Sequence, residues 1–180
     1  MKNIKKRLLS LVLAVVMVLS MSMSVFASEV TTDKVTAHVV LDAGSYEDLG
    51  VLNQEDITLS STDFKTLFTV PSGATHNYQD KITVMDMTVQ AATQWGIEDS
   101  LVINWDTYNV PNGCYMSEIF GLGTQEVSSH YSSVVGESYW TGYNWVLRVN
   151  GQKATLYGSN IQVSNGDTIT WSYELTTERW

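Results

Sequence analysis

The sequence predicts an α+β fold in which a β-sheet carries one principal helix on one of its faces. Three observations lead there. Only one segment, Thr83–Trp95, has apolar or small residues at helical spacing: Val84, Met87, Thr88, Ala91, Ala92 and Trp95 step by three and one along a single stripe. Most of the remaining chain alternates apolar and polar residues as strands do, and it carries Asn150-Gly151 and Asn165-Gly166, dipeptides that close tight hairpins. All six Trp and all nine Tyr follow residue 28. That gives a chain of about 150 residues enough large apolar mass to bury roughly 70% of its unfolded surface without disulfides.

The elements follow in order. Val35, Ala37, Val39 and Leu41 share one face of a first strand over 35–42, with His38 on the other. Residues 43–62 are rich in Gly, Ser, Asp and Glu and read as a loop, with a short edge strand around Ile57–Leu59. A strand over 64–70 is expected to stop at Pro71, which has no N–H to give to a ladder. The helix follows. Thr83 and Asp86 have capping-box spacing, and Gly96 stands where a left-handed C-cap belongs. Strands are then expected over 101–108, 115–121, 145–151 and 168–175. In the last, Ile169, Trp171, Tyr173 and Leu175 face one way and Thr170, Ser172 and Glu174 the other. Residues 122–142 read as a Ser/Gly-rich loop.

The first 27 residues carry a basic start (Lys2, Lys5, Lys6, Arg7), an apolar run from Leu8 to Leu19 and small residues before Ser28, the layout of a secretory signal cleaved after Ala27. The expected organisation is therefore a signal peptide over 1–27, a polar leader over 28–34 and one domain over 35–180. The expected destination is secreted and extracellular, most simply in a Gram-positive bacterium, with no membrane span once the signal is removed. Residues 28–180 keep 6 basic against 19 acidic residues, a formal charge of −13. Such a surface repels phosphate backbones and anionic headgroups, which argues against a nucleic-acid partner and a peripheral membrane role.

Residues able to carry chemistry are few. Cys114 with His130 is the one pair to weigh for nucleophilic catalysis, and neither a strand-turn-helix around Cys114 nor a G-x-S-x-G supports it. His38, His76 and His130 are too far apart in sequence for zinc-ligand spacing. The pairs Glu55-Asp56 and Glu98-Asp99 lack the calcium-loop pattern and read as solvated turn residues. No catalytic residue, metal ligand or resident cofactor is assigned, and a non-enzymatic role is expected. What stands out is aromatic density. Trp171, Tyr173 and Trp145 suit a sheet core, whereas Trp140, Tyr143 and Tyr157 fall in Gly/Ser-rich sequence where rings are often exposed to a planar or glycan ligand.

The stretch 142–175 carries Trp145, then Val149-Asn150-Gly151, Gly158, and the run Gly166-Asp167-Thr168-Ile169-Thr170-Trp171-Ser172-Tyr173. It resembles the transcobalamin-like C-terminal domain of secreted Firmicute proteins. The upstream helix and Ser117-Glu118-Ile119-Phe120-Gly121-Leu122 fit the same pattern. The resemblance covers about 64–175 and implies a β-grasp-like mixed sheet of the kind that binds soluble ligands. Relatives in animals clamp cobalamin between this domain and a helical barrel, which this chain lacks. A second protein is thus the implied source of the other half of a clamp. The leading expectation is a small soluble ligand, a corrinoid such as cobalamin first, held by Trp140, Tyr143, Asn144, Trp145, Tyr157 and Asn160. Two alternatives stand beside it: a glycan or cell-wall binding module using the same rings, and an interaction or scaffold domain at the cell surface.

Overall fold

The computed structural model describes residues 34–60, 67, 70, 72, 80–106 and 113–180. The expected signal segment, the polar leader short of Lys34, His76 and most of the strand expected over 64–70 lie outside the described residues. Strands β1 (Lys34–Asp42) and β2 (Val51–Ser60) form an antiparallel hairpin, and helix α1 (Val84–Trp95) follows. Then come β3 (Val102–Asp106), β4 (Gly113–Glu118), β5 (Gln125–His130), β6 (Tyr139–Val149), β7 (Gln152–Lys153) and β8 (Thr168–Arg179). The main sheet runs β2-β1-β8-β6-β5, with β7 on the β5 side of β6, and β3 and β4 make a separate two-stranded sheet. β1 and β8 are parallel while the other pairs are antiparallel. The sheet is therefore mixed and carries one principal helix, a β-grasp-like architecture.

The helix forms where its caps place it. Thr83 and Asp86 make a reciprocal capping box: the Asp86 carboxylate accepts from the Thr83 N–H at 2.7 Å, and Thr83 Oγ1 accepts from the Asp86 N–H at 3.4 Å. At the other end Gly96 adopts φ 68°, where a side chain would be strained. Every stripe residue expected to face inward is buried except Trp95, which is half-buried and donates its indole N–H to Glu55 at 3.0 Å. Burial goes further than one stripe, since Val84 to Val89 are buried without interruption. The 3₁₀ turn Gly158–Asn160 and strand β4 pack on the helix as well as the sheet, so its first two turns have no solvent face.

The core lies between α1 and the sheet face bearing Ala37, Val39, Leu41, Trp145, Leu147, Ile169, Trp171 and Tyr173. The β6–β8 register sets Trp145 opposite Tyr173 and Leu147 opposite Trp171, so the largest rings form one cross-strand block. Two expectations need correcting. The loop over 43–62 holds a ten-residue strand, β2, and Glu55 and Asp56 are strand residues rather than turn residues. Ile57 and Leu59 are the buried residues of β2, with half-buried Leu52 packed against the core, so its polar NQED stretch gives no apolar alternation to read. The loop over 122–142 likewise contains β5 and the start of β6. β5 is exposed along nearly its whole length, and its pairing comes from the β6 backbone rather than from burial.

Cys114 is fully buried and its backbone N–H donates to Ser159 Oγ at 2.8 Å. Burial pushes its thiol from an ordinary 9.0 up to about 12; the Ser159 hydrogen bond opposes this and the Asp86 charge adds to it. Burial also pushes Tyr173 from 10.0 up to about 12, helped by Tyr46, Tyr143 and Glu47. Both groups keep their protons to higher pH in the folded chain than in the unfolded one. Their contribution to stability is therefore complete below about pH 9 and is lost as the unfolded chain ionises first between 9 and 12. Denaturation midpoints should hold steady to pH 9 and fall above it. In the native state Cys114 should stay silent to a thiol-specific dye at pH 8 and react once the chain is unfolded; rapid native labelling would contradict the burial.

Candidate functional site

Strand β6 is bonded to β8 along all eleven residues without a register shift. Its other edge is not covered evenly. β5 pairs with Tyr139–Tyr143 and β7 with Arg148–Val149, and the Ala154 N–H donates to the Leu147 carbonyl at 2.9 Å. The Asn150-Gly151 turn makes β7 possible: with φ 51° and 77°, both residues adopt the left-handed conformations that a two-residue hairpin requires. Among the described residues no strand is ladder-paired with Asn144–Val146 on this side.

A groove of about 400 Å³ occupies that interval, lined by Asn144–Leu147, Lys153–Tyr157 and Glu178. Its floor is held by inward contacts. The Trp145 indole N–H donates to the Leu122 carbonyl at 2.7 Å, and its ring lies 5.2 Å from that of Tyr173. Tyr157 donates its hydroxyl to Asp106 and stacks on Tyr115 at 5.8 Å. Asn144 accepts from Thr176 Oγ1 at 3.2 Å. The walls combine apolar surface from Val146 and the exposed Leu156 with opposite charges from Lys153 and Glu178. A second groove, about 330 Å³, lies among Lys34–Val35, Asp80–Ile82 and Gln162–Asn165, without an aromatic residue in its lining.

The structure gathers three of the six expected site residues, Asn144, Trp145 and Tyr157, at the first groove. The other three stand apart from its lining. Trp140 lies on β6 rather than in a loop, and its Cζ2 and Cη2 atoms fill the space where a side chain at Gly142 would sit. That close approach requires glycine at 142. Tyr143, also on β6, belongs to an aromatic cluster, 4.9 Å from Tyr46 and 5.8 Å from Tyr173. Asn160 is buried in the 3₁₀ turn, its N–H donating to the Tyr157 carbonyl at 2.8 Å. Lys153, Thr155 and Leu156 were not among the sequence candidates. The signal for them was present in Asn150-Gly151, because a hairpin there must send 153–157 back past β6.

The pair weighed for nucleophilic catalysis, Cys114 with His130, is not brought together. Cys114 is sealed in the core, while His130 is exposed on β5 with its ring 6.0 Å from that of Tyr139. His38 pairs with Asp56 at 2.7 Å on the open face of the sheet. Among the described residues no group of three or more His, Cys, Asp or Glu side chains is placed to hold a metal ion, and no helix is long and apolar enough to cross a membrane.

The groove-bearing half of the chain can be placed beside known sequences. Residues 96–175 match a family described as a domain of unknown function, DUF4430. The DUF4430 match begins at the helix C-cap and ends within β8, so it takes in β3 to β7 and every groove residue except Glu178. It leaves out β1, β2 and α1. Comparison with curated proteins gives no match. Likeness to β-grasp domains is thus a likeness of fold, carried by the mixed sheet and its helix.

Proposed function

We propose that this chain is an exported, non-catalytic module that holds a soluble ligand in the groove at the uncovered edge of β6, a corrinoid being the first candidate. The observation that carries the reading is the groove itself. An apolar wall from Val146 and Leu156, the Asn144 amide, the Tyr157 ring and the Lys153 cation line an interval of β6 that no described strand pairs with on this side. Small-molecule sites commonly measure roughly 300–1,000 Å³ and combine apolar walls with a few polar groups. A groove of about 400 Å³ matches the lower part of that range. It covers one side of a macrocycle and leaves the other side for a partner protein. The resemblance of 142–175 to transcobalamin-like domains supports a corrinoid, and the basic-then-apolar start supports export.

Calorimetric titration of the purified protein with dicyanocobinamide and, separately, with a chito-oligosaccharide tests the reading. Saturable binding of the corrinoid alone is expected. Leu156→Asp, a change at an exposed groove residue, should leave stability within about 1 kcal/mol of wild type and remove most of the affinity. No corrinoid binding, or binding indifferent to Leu156→Asp, overturns the assignment. N-terminal sequencing of the secreted form should begin at or near Ser28; recovery of Met1 would sink the export reading.

A further inference from the structure

The uncovered interval of β6 has a chemistry of its own. Along an antiparallel strand, alternate residues direct their main-chain N–H and C=O to opposite neighbours. Asn150 donates toward β8, to the Thr168 carbonyl at 2.8 Å, and Leu147 accepts on the β7 side from Ala154. With the β6–β8 register unbroken, Trp145 sends its N–H and C=O the same way as Leu147, away from β8. The last residue paired with β5 is Tyr143 and the first paired with β7 is Arg148, so no strand residue among those described faces Trp145 on that side. The side chain of Trp145 is fixed in the core by its bond to Leu122. What it presents to the groove is therefore a rigid main-chain donor and acceptor in the plane of the sheet.

We propose that the groove recognises carboxamide groups of its ligand, laid in the plane of the sheet as a further strand would be, with an amide C=O accepting from the Trp145 N–H and an amide N–H donating to the Trp145 C=O. The inference rests on the groove being the ligand site and adds the chemical class that the site selects. From Tyr143 to Leu147 the interval spans four residues, about 13 Å at roughly 3.3 Å each. The ends of β5 and β7 bound it, so it admits a short amide-bearing unit and not a long strand. A donor and an acceptor so fixed discriminate amides from esters, which can accept but not donate. Such amides come either from the rim of a corrinoid or from a short peptide.

The test uses three probes on the full protein carrying ¹⁵N-tryptophan, with the Trp145 main-chain signal assigned by its loss in Trp145→Phe. Dicyanocobinamide has several primary amides, heptamethyl cobyrinate has methyl esters in their place, and N-acetyl-trialanine amide has peptide amides without a corrin. The expected result is a shift of the Trp145 amide signal with dicyanocobinamide and binding at least tenfold weaker for the ester. Thr155→Trp, which fills the groove from an exposed position, should abolish the shift. A shift of Trp145 by the peptide, with no binding of either corrinoid, upholds amide recognition and removes the corrinoid. Equal binding of amide and ester corrinoids with Trp145 unmoved overturns amide recognition and leaves the groove as a corrinoid site. If neither corrinoid nor peptide moves Trp145, amide recognition is wrong whatever else binds.

Discussion

Trp171→Ala should lower stability by about 3–5 kcal/mol, the largest loss expected of any single truncation in this core. Trp171 is 2% exposed, sits opposite Leu147 on β6 and Leu41 on β1, and donates its indole N–H to Thr88 Oγ1 at 2.9 Å. One side chain thus ties the two central strand pairs to the helix. Truncation leaves a cavity bounded by three elements whose backbones are fixed by ladders and helix bonds, so little collapse can refill it. Trp171→Phe isolates the packing part. It keeps most of the ring, and Thr88 remains satisfied because its hydroxyl donates to the Val84 carbonyl at 2.7 Å. Chemical denaturation should rank the alanine variant well below the phenylalanine variant. A cost under about 1 kcal/mol for the alanine change would mean that the ring does not fill the core.

The second large effect is expected from Ala91→Asp. Ala91 is 0% exposed on the helix face turned to the core, so the substitution places a carboxylate among apolar neighbours that cannot balance its charge, at a cost of several kcal/mol. Gln90, half-buried on the neighbouring face, provides the comparison, and Gln90→Ser should shift stability by only about half a kcal/mol. Equal midpoints for the two variants would place the helix the other way round. Ala91→Asn, which brings polarity without charge, should fall between them.

The helix was readable from sequence because its signals are local. A capping residue, a partner three positions on, a stripe of spacing and a terminal glycine all lie within fifteen residues, and tertiary packing did not override them. β8 was readable as far as Tyr173, since Ile169, Trp171 and Tyr173 are buried and Thr170 and Ser172 are not, whereas Leu175, expected to share their face, is exposed. β2 and β5 were hidden for the opposite reason. Each is an outer strand held by hydrogen bonds to a neighbour, and backbone pairing leaves no trace in side-chain polarity. The same limit applied to the candidate site. Local context marked Trp140 and Tyr143 as loop residues, yet β6 begins at Tyr139 and turns these two to opposite faces. Asn144, Trp145 and Tyr157 meet only because β6 is uncovered between two short neighbours, a property of strand pairing that no single segment encodes.

The parallel contact between β1 and β8 has a consequence for how the chain acquires its structure. These are the first and last described strands, and they lie side by side in the middle of the main sheet, with His38 to Asp42 aligned on Thr168 to Ser172. A ribosome that has released everything up to residue 160 has made both flanks of the sheet but not the strand that joins them. The hairpin of β1 and β2 then has no route to β6, and the helix has only part of its bed. Cooperative folding must wait for β8, whose pairing with β1 joins segments far apart in sequence, which makes the contact order high and the folding rate slow. A nascent chain of this topology remains threadable until β8 has emerged, and removing β8 should dissolve the whole sheet and not just its edge.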